Sequence, residues 1–373
     1  METSHPRTSL ATMISRWRSV LPFSRGESDV PAEDVLTQAS WDDHWVEDRF
    51  LEGFQMRQYS MPDAPQLPEE GQGHLISTLV RQHKPRNRRA VLHVHGWNEY
   101  FFQPHLAQFY EDLGYDFYAV DLHRYGRSLQ AGELFGYMES VEDYYKELDA
   151  CVDLIKSDHD YLLLTGHSNG GLISSVYASD RPKTFTGVIL NAPWIDMQGS
   201  VLFRALAPLI VRGLSVASPT MVMPASENHL YGKSLHKSYF GQWDYDLDLK
   251  RIESQPLRPG WIKSVVDGHD RVAAGLHIDC PVLVATSSRS SDPSEWCEDA
   301  FSSDLALDVE RIAARVPQLG WHTTLVRLKG ALHDVGLSAP DVRARYFEEI
   351  RRWELAYVRG RGTQEKYLAD LGE

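Results

Sequence analysis

The chain has 373 residues, 42% of them hydrophobic and 24% charged, with 38 basic against 52 acidic side chains and a formal net charge of −14. This length suits one large domain or two smaller ones, and the apolar content excludes a disordered chain. The acidic balance argues against nucleic acid as a partner, because such a surface repels a phosphate backbone.

Residues 1–26 carry Arg7, Arg16, Arg18 and Arg25 against one acid, Glu2, and Leu10, Met13, Ile14, Trp17 and Leu21 recur at helical spacing. An amphipathic helix making peripheral contact with a membrane surface fits this pattern. So does an Arg-rich and Ser-rich transit peptide. The plainest account is a short helix packed on the domain, or a frayed tail. Residues 1–45 are accordingly assigned to an N-terminal extension.

From about residue 50, short apolar runs bounded by turn residues predict strands. They are Gly53 to Tyr59, His74 to Arg81, Ala90 to Val94, Phe117 to Val120, Tyr161 to Thr165, Phe185 to Leu190, Pro281 to Thr286 and Thr323 to Leu328. Helical periodicity lies between them, in Val141, Tyr144, Leu148, Cys151 and Ile155, and again in Leu172, Val176 and Ala178. Leu305 to Val316 and Val342 to Val358 predict two further helices. This alternation implies an α/β chain with a mostly parallel, doubly wound sheet. Residues 194–275 interrupt the rhythm. They are too long for a structureless loop and read as an inserted subdomain between core segments 46–193 and 276–373.

No run of 18 apolar residues occurs. The nearest, Val201 to Pro224, is broken by Arg204, Arg212 and prolines, so a transmembrane span is not expected. Cys151, Cys280 and Cys297 lie far apart without CxxC spacing, which suits a reduced, cytoplasmic setting.

The chemistry concentrates at Gly166-His167-Ser168-Asn169-Gly170, which follows an apolar strand and precedes a helical run. That context predicts a nucleophile elbow, whose tight turn needs glycine on both sides of the serine. A serine needs a base to act as a nucleophile, and His333 follows the last predicted strand at the right sheet edge. The acid should follow Pro281 to Thr286. Asp292, Glu295, Asp299 and Asp304 are the candidates; Asp304 is favoured, with Asp292 next, although Asp304 could also cap the helix after it. Two N–H donors for an oxyanion are expected from the backbone of Asn169 and of Trp97, after His95-Gly96. His93 and His95 share one side of a strand, but no third ligand is evident and no metal or other cofactor is expected. Tyr100 and Phe101 either line an acyl pocket or form the first turn of a packed helix.

His95-Gly-Trp, Asp121-Leu-His-Arg-Tyr-Gly-Arg-Ser128, Gly166-His-Ser-Asn-Gly-Gly171 and His333 together resemble the α/β-hydrolase superfamily, in its lysophospholipase and monoacylglycerol-lipase-like branch. The resemblance covers roughly residues 45 to 358. It implies Ser168 as nucleophile, His333 as base and Asp304 as acid, with a helical cap inserted between the sixth and seventh strands. One departure stands out: the family's Gly-x-x-Asp after the seventh strand reads Ser287-Ser-Arg-Ser290 here, which implies an insertion before the acid. The expected activity is carboxylic-ester hydrolysis of a small-molecule ester or lipid. An apolar pocket would be built by Trp194, Trp243, Trp261 and the 201–223 stretch. Acyl transfer or amide cleavage with the same triad, or a non-catalytic binding module on this scaffold, are the alternatives.

Overall fold

The computed structural model describes residues 38–70, 73–199, 201–224 and 229–359. The expectations for residues 1–37 lie outside the described residues. Two short strands, β1 (Ser40–Trp41) and β2 (Val46–Glu47), pair antiparallel with β3 (Gln55–Met61). The sheet therefore begins before residue 45, where the extension was expected to end.

The remaining strands are β4 (Leu75–Arg81), β5 (Arg89–Val94), β6 (Asp116–Asp121), β7 (Tyr161–His167), β8 (Gly187–Asn191), β9 (Val282–Ser287) and β10 (Thr323–Leu328). Their order across the sheet is β1-β3-β4-β6-β5-β7-β8-β9-β10, and the pairs from β6 to β10 are parallel. β4 pairs antiparallel with β6, and β3 antiparallel with β4. Every residue of β6, β8 and β9 is buried, as expected of strands covered on both faces. β10 lies at the edge and is mostly half-buried.

Helices α1 (Pro104–Asp112), α2 (Tyr145–Lys156) and α3 (Ser168–Asp180) follow β5, β6 and β7. Leu148, Leu172 and Val176 pack one face of the sheet, while Leu106 and Tyr110 of α1 pack the other. This two-faced covering is what the alternating pattern requires.

The segment between β8 and β9 holds α4 (Val201–Ala217), α5 (Leu230–Leu235) and α6 (Pro259–Ala274). α6 sends Trp261, Val265 and Val272 into the main core, so the insertion's last helix packs as part of the body. No helix among the described residues is long and apolar enough to cross a membrane. After β9 come α7 (Val309–Arg315) and, after β10, α8 (Pro340–Trp353). α7 starts later than the periodicity suggested, because Asp308 caps it by accepting from Glu310 N at 3.0 Å.

Candidate active site

Ser168 opens α3 directly after β7, with φ at 52°, in the left-handed region that a side chain rarely adopts. The strain persists because the surroundings leave no alternative. A Cβ at Gly166 would lie 2.5 Å from Gly170 O, and one at Gly170 would lie 2.1 Å from His95 O. Gly166 lets the turn close on the helix that follows, and Gly170 lets the elbow press against the end of β5. Trp194 N donates to Ser168 O at 2.9 Å and ties the elbow to the residues after β8. The serine thus stands at the carboxyl edge of the sheet and at a helix N-terminus, where a developing anion is favoured.

Ser168 Oγ lies 3.0 Å from His333 Nε2, and His333 Nδ1 lies 2.9 Å from Asp304 Oδ2. Asp304 is fully buried, and its other oxygen accepts Ala306 N at 2.8 Å and Leu307 N at 2.7 Å. Asp292 is exposed. Residues 291–303 loop out after β9, and the chain then returns to it. Asp304 N donates to Arg289 O and Ser291 N donates to Asp304 O, both at 3.0 Å. Asp304 is thereby bridged beside Ser290, a few residues past the strand end.

The turn after β5 faces the elbow. His95 Nδ1 is 2.8 Å from Gly96 O, and Leu122 N donates to His95 Nε2 at 3.1 Å. The ring therefore carries its proton on Nδ1 and holds both the turn and the start of the 122–128 loop. Glu99 Oε2 accepts Gly96 N at 2.9 Å. Among the described residues, no protein acceptor takes the N–H of Trp97, and the N–H of Asn169 lies in the first turn of α3. His167, beside the serine, is 3.1 Å from Asn191 O through Nδ1, and burial pulls its pKa down. Burial raises the cost of charge on Glu99, yet Lys250 and His167 hold its pKa at about 2. Glu99, His167 and Asp334 bring ligand-type atoms within 4.8 Å of one another. Lys250 Nζ already occupies the Glu99 corner at 2.9 Å, and Gln103 and Asn191 amides donate to Asp334.

The model for the family described as serine aminopeptidase, S33, matches residues 85–307, more than half of the chain. This chain belongs to the S33 family of α/β-hydrolases. Phospholipase YtpA of Bacillus subtilis (strain 168) is 29% identical over 133 residues, 35% of this chain and 49% of that protein. Monoacylglycerol lipase of Mycolicibacterium smegmatis is 26% identical over 117 residues, 31% of this chain and 41% of that protein. The match thus spans about half the length, or less, of these relatives. The crystal structure of Paleococcus ferrophilus monoacylglycerol lipase superposes with a TM-score of 0.54 at 20% identity, covering 72% of this chain and 95% of that one. That likeness speaks for the fold.

A cavity of about 260 Å³ opens beside Ser168 and His333 in this S33 hydrolase. Trp97, Trp194, Leu257 and Trp261 give it apolar walls, and Lys250, Glu99 and Tyr231 a polar side. Trp194 therefore lies where a pocket residue was expected. Tyr100 and Phe101 do not. Phe101 is 1% exposed and packs against Phe54 and Phe117. Its backbone is clamped: Asp121 accepts Phe101 N at 2.8 Å and Arg127 donates to Phe101 O at 2.9 Å. Tyr100 lies under the Arg127 guanidinium and accepts Asp246 N at its hydroxyl, away from the cavity. Trp243 is likewise turned aside, donating to Leu337 O and stacking on His105. Among the described residues, none of 206–223 lines the cavity; Leu209, Ile210 and Val216 are exposed. Lys250 and Tyr231 were missed by sequence reasoning, since they lie in an irregular segment with no motif around them.

Proposed function

We propose that this chain is a serine carboxylic-ester hydrolase acting on an apolar ester of lipid type. The observation that carries the reading is the continuous hydrogen-bonded chain Ser168, His333, Asp304, opening on a cavity walled by tryptophans. Ser168 Oγ attacks the ester carbonyl while His333 Nε2 takes its proton. Asp304 keeps the His333 proton on Nδ1 and stabilises the imidazolium that forms. The N–H groups of Trp97 and Asn169 receive the oxyanion. His333 then protonates the departing alcohol, and a water, deprotonated by the same ring, releases the acid from Ser168. This chemistry uses protein groups alone. The names of the relatives, a phospholipase and a monoacylglycerol lipase, favour a lipid ester over a small polar one.

The test is a p-nitrophenyl ester series from acetate to palmitate, run beside Ser168→Ala. Turnover that peaks at one acyl length and vanishes in the variant is expected. Equal turnover in Ser168→Ala would end the proposal. An absence of turnover on every ester would move the reading to acyl transfer or amide cleavage.

A further inference from the structure

We propose that Lys250 is a positioning residue: through its ion pair with Glu99, the segment between α5 and α6 holds the turn from which Trp97 presents its N–H. The inference rests on the serine-hydrolase reading above. Gly96 directly precedes Trp97, and both of its backbone polar groups are taken by side chains. Its N–H goes to Glu99 Oε2 at 2.9 Å, and its carbonyl to His95 Nδ1 at 2.8 Å. The turn is also close to the nucleophile, since a Cβ on Gly96 would lie 3.2 Å from Ser168 Cβ. Glu99 therefore fixes the His95–Gly96 peptide, one residue before the peptide that carries the Trp97 N–H, and His95 fixes that second peptide by its carbonyl.

What orients Glu99 comes from across the cavity. Lys250 Nζ donates to Glu99 Oε1 at 2.9 Å, and the lysine is 5% exposed. Its ammonium is boxed by the rings of Phe102, Tyr231 and Tyr245, at 5.6, 6.0 and 5.7 Å from their centroids. The neighbouring residues repeat the connection. Asn98 Nδ2 donates to Arg251 O at 2.8 Å, and Arg251 N donates to Asn98 Oδ1 at 3.1 Å. Residues 98–99 and 250–251 are thus joined by three bonds, two between side chain and backbone and one between charges.

A buried ion pair is weak evidence for stability, because desolvating both charges offsets much of their attraction. Geometry is a stronger reason for this one. Without the ammonium, the Glu99 carboxylate has a buried charge to neutralise and one fewer partner to fix its rotamer. Gly96 is then anchored on its carbonyl side alone, and the Gly96–Trp97 peptide can pivot about the His95 bond. A tilt leaves substrate binding largely intact but misaims a donor whose value is realised in the transition state.

The experiment is steady-state kinetics of the full chain on the preferred p-nitrophenyl ester, with Lys250→Met, Lys250→Arg and Ser168→Ala in parallel. Lys250→Met should lower kcat by roughly 10-fold or more, as expected of a sub-ångström misplacement, with KM held within about threefold. Lys250→Arg, which keeps a donor for Glu99, should recover part of the loss. If Lys250→Met fails to fold, Glu99→Gln combined with Lys250→Met buries no net charge there and carries the same expectation. An unchanged kcat with a raised KM, or with a lowered melting temperature alone, would overturn the inference. Should Ser168→Ala be inactive in that same set, the hydrolase reading would still stand; should it be active, that reading falls first.

Discussion

Asparagine at position 304 separates the hydrogen-bonding role of the acid from its shape. Asp304 Oδ1 accepts two backbone N–H groups, from Ala306 and Leu307, at 2.8 and 2.7 Å. In Asp304→Asn the amide oxygen must remain there, because both partners are donors. The amide nitrogen then faces His333 Nδ1, where the carboxylate oxygen stood at 2.9 Å. Two donors cannot share that contact, so Nδ1 becomes an acceptor and the ring proton moves to Nε2. Nε2 is the atom 3.0 Å from Ser168 Oγ, and protonated it cannot accept the serine proton. The expected loss is about 10⁴-fold in kcat, or about 5 kcal/mol of transition-state stabilisation. KM should change little, and the isosteric side chain should leave the far-UV spectrum and the melting temperature close to wild type. Asp292→Asn, at an exposed site, should change kcat by less than about twofold. The reasoning fails if Asp304→Asn keeps more than about a tenth of wild-type kcat, or if Asp292→Asn matches its loss.

Four further outcomes are expected. Gly170→Ala puts a Cβ 2.1 Å from His95 O, against backbone that cannot step aside, and should cost upwards of about 2 kcal/mol in a urea titration; a normal midpoint would mean that the elbow is looser than it looks. Phe101→Ala should lose about 3–5 kcal/mol of stability without altering the preferred acyl length, because the ring fills the core and not the cavity. Trp194→Ala should shift that acyl preference, and a shift in Phe101→Ala alone would reverse the assignment. Glu99 is held at about 2 from a usual 4.5, so its contribution to stability is present above pH 4.5 and fades as pH falls toward 2. The stability gap between wild type and Glu99→Gln should therefore narrow over that window when both are unfolded in urea at stepped pH; a constant gap would show that the carboxylate is not held down.

Much of this is legible in the sequence. β5, β7 and β8 are short apolar runs that a half-exposed strand would not tolerate, so the parallel sheet followed from composition and spacing. Ser168 was legible because the elbow needs its glycines at fixed offsets, and the two contacts a Cβ would make at Gly166 and Gly170 are the physical form of that requirement. His333 was legible by its place after the last strand. Lys250 was not, since its partner Glu99 lies far away in sequence and no local pattern marks either end of the pair. Trp243 misled for a related reason: an indole in an insertion has an apolar body, but its N–H sought Leu337 O and took the ring with it.

Tyr100 and Phe101 show where proximity in sequence stops being a guide to proximity in function. They directly follow the turn that faces Ser168, and an aromatic run there invites assignment to the pocket. What decides their direction is a buried charge cluster further along the chain. Asp121 ends β6 and accepts from Phe101 N and from Arg127, whose guanidinium also pairs with Asp48 at 2.6 Å. With both Phe101 backbone groups committed to this cluster, its ring is turned into the core and the Tyr100 ring is trapped under Arg127. The same cluster leaves the next charge back, Glu99, on the cavity side. The residue that reaches the cavity from this run is thus its acid, and the aromatics behind it form the wall on which that acid stands.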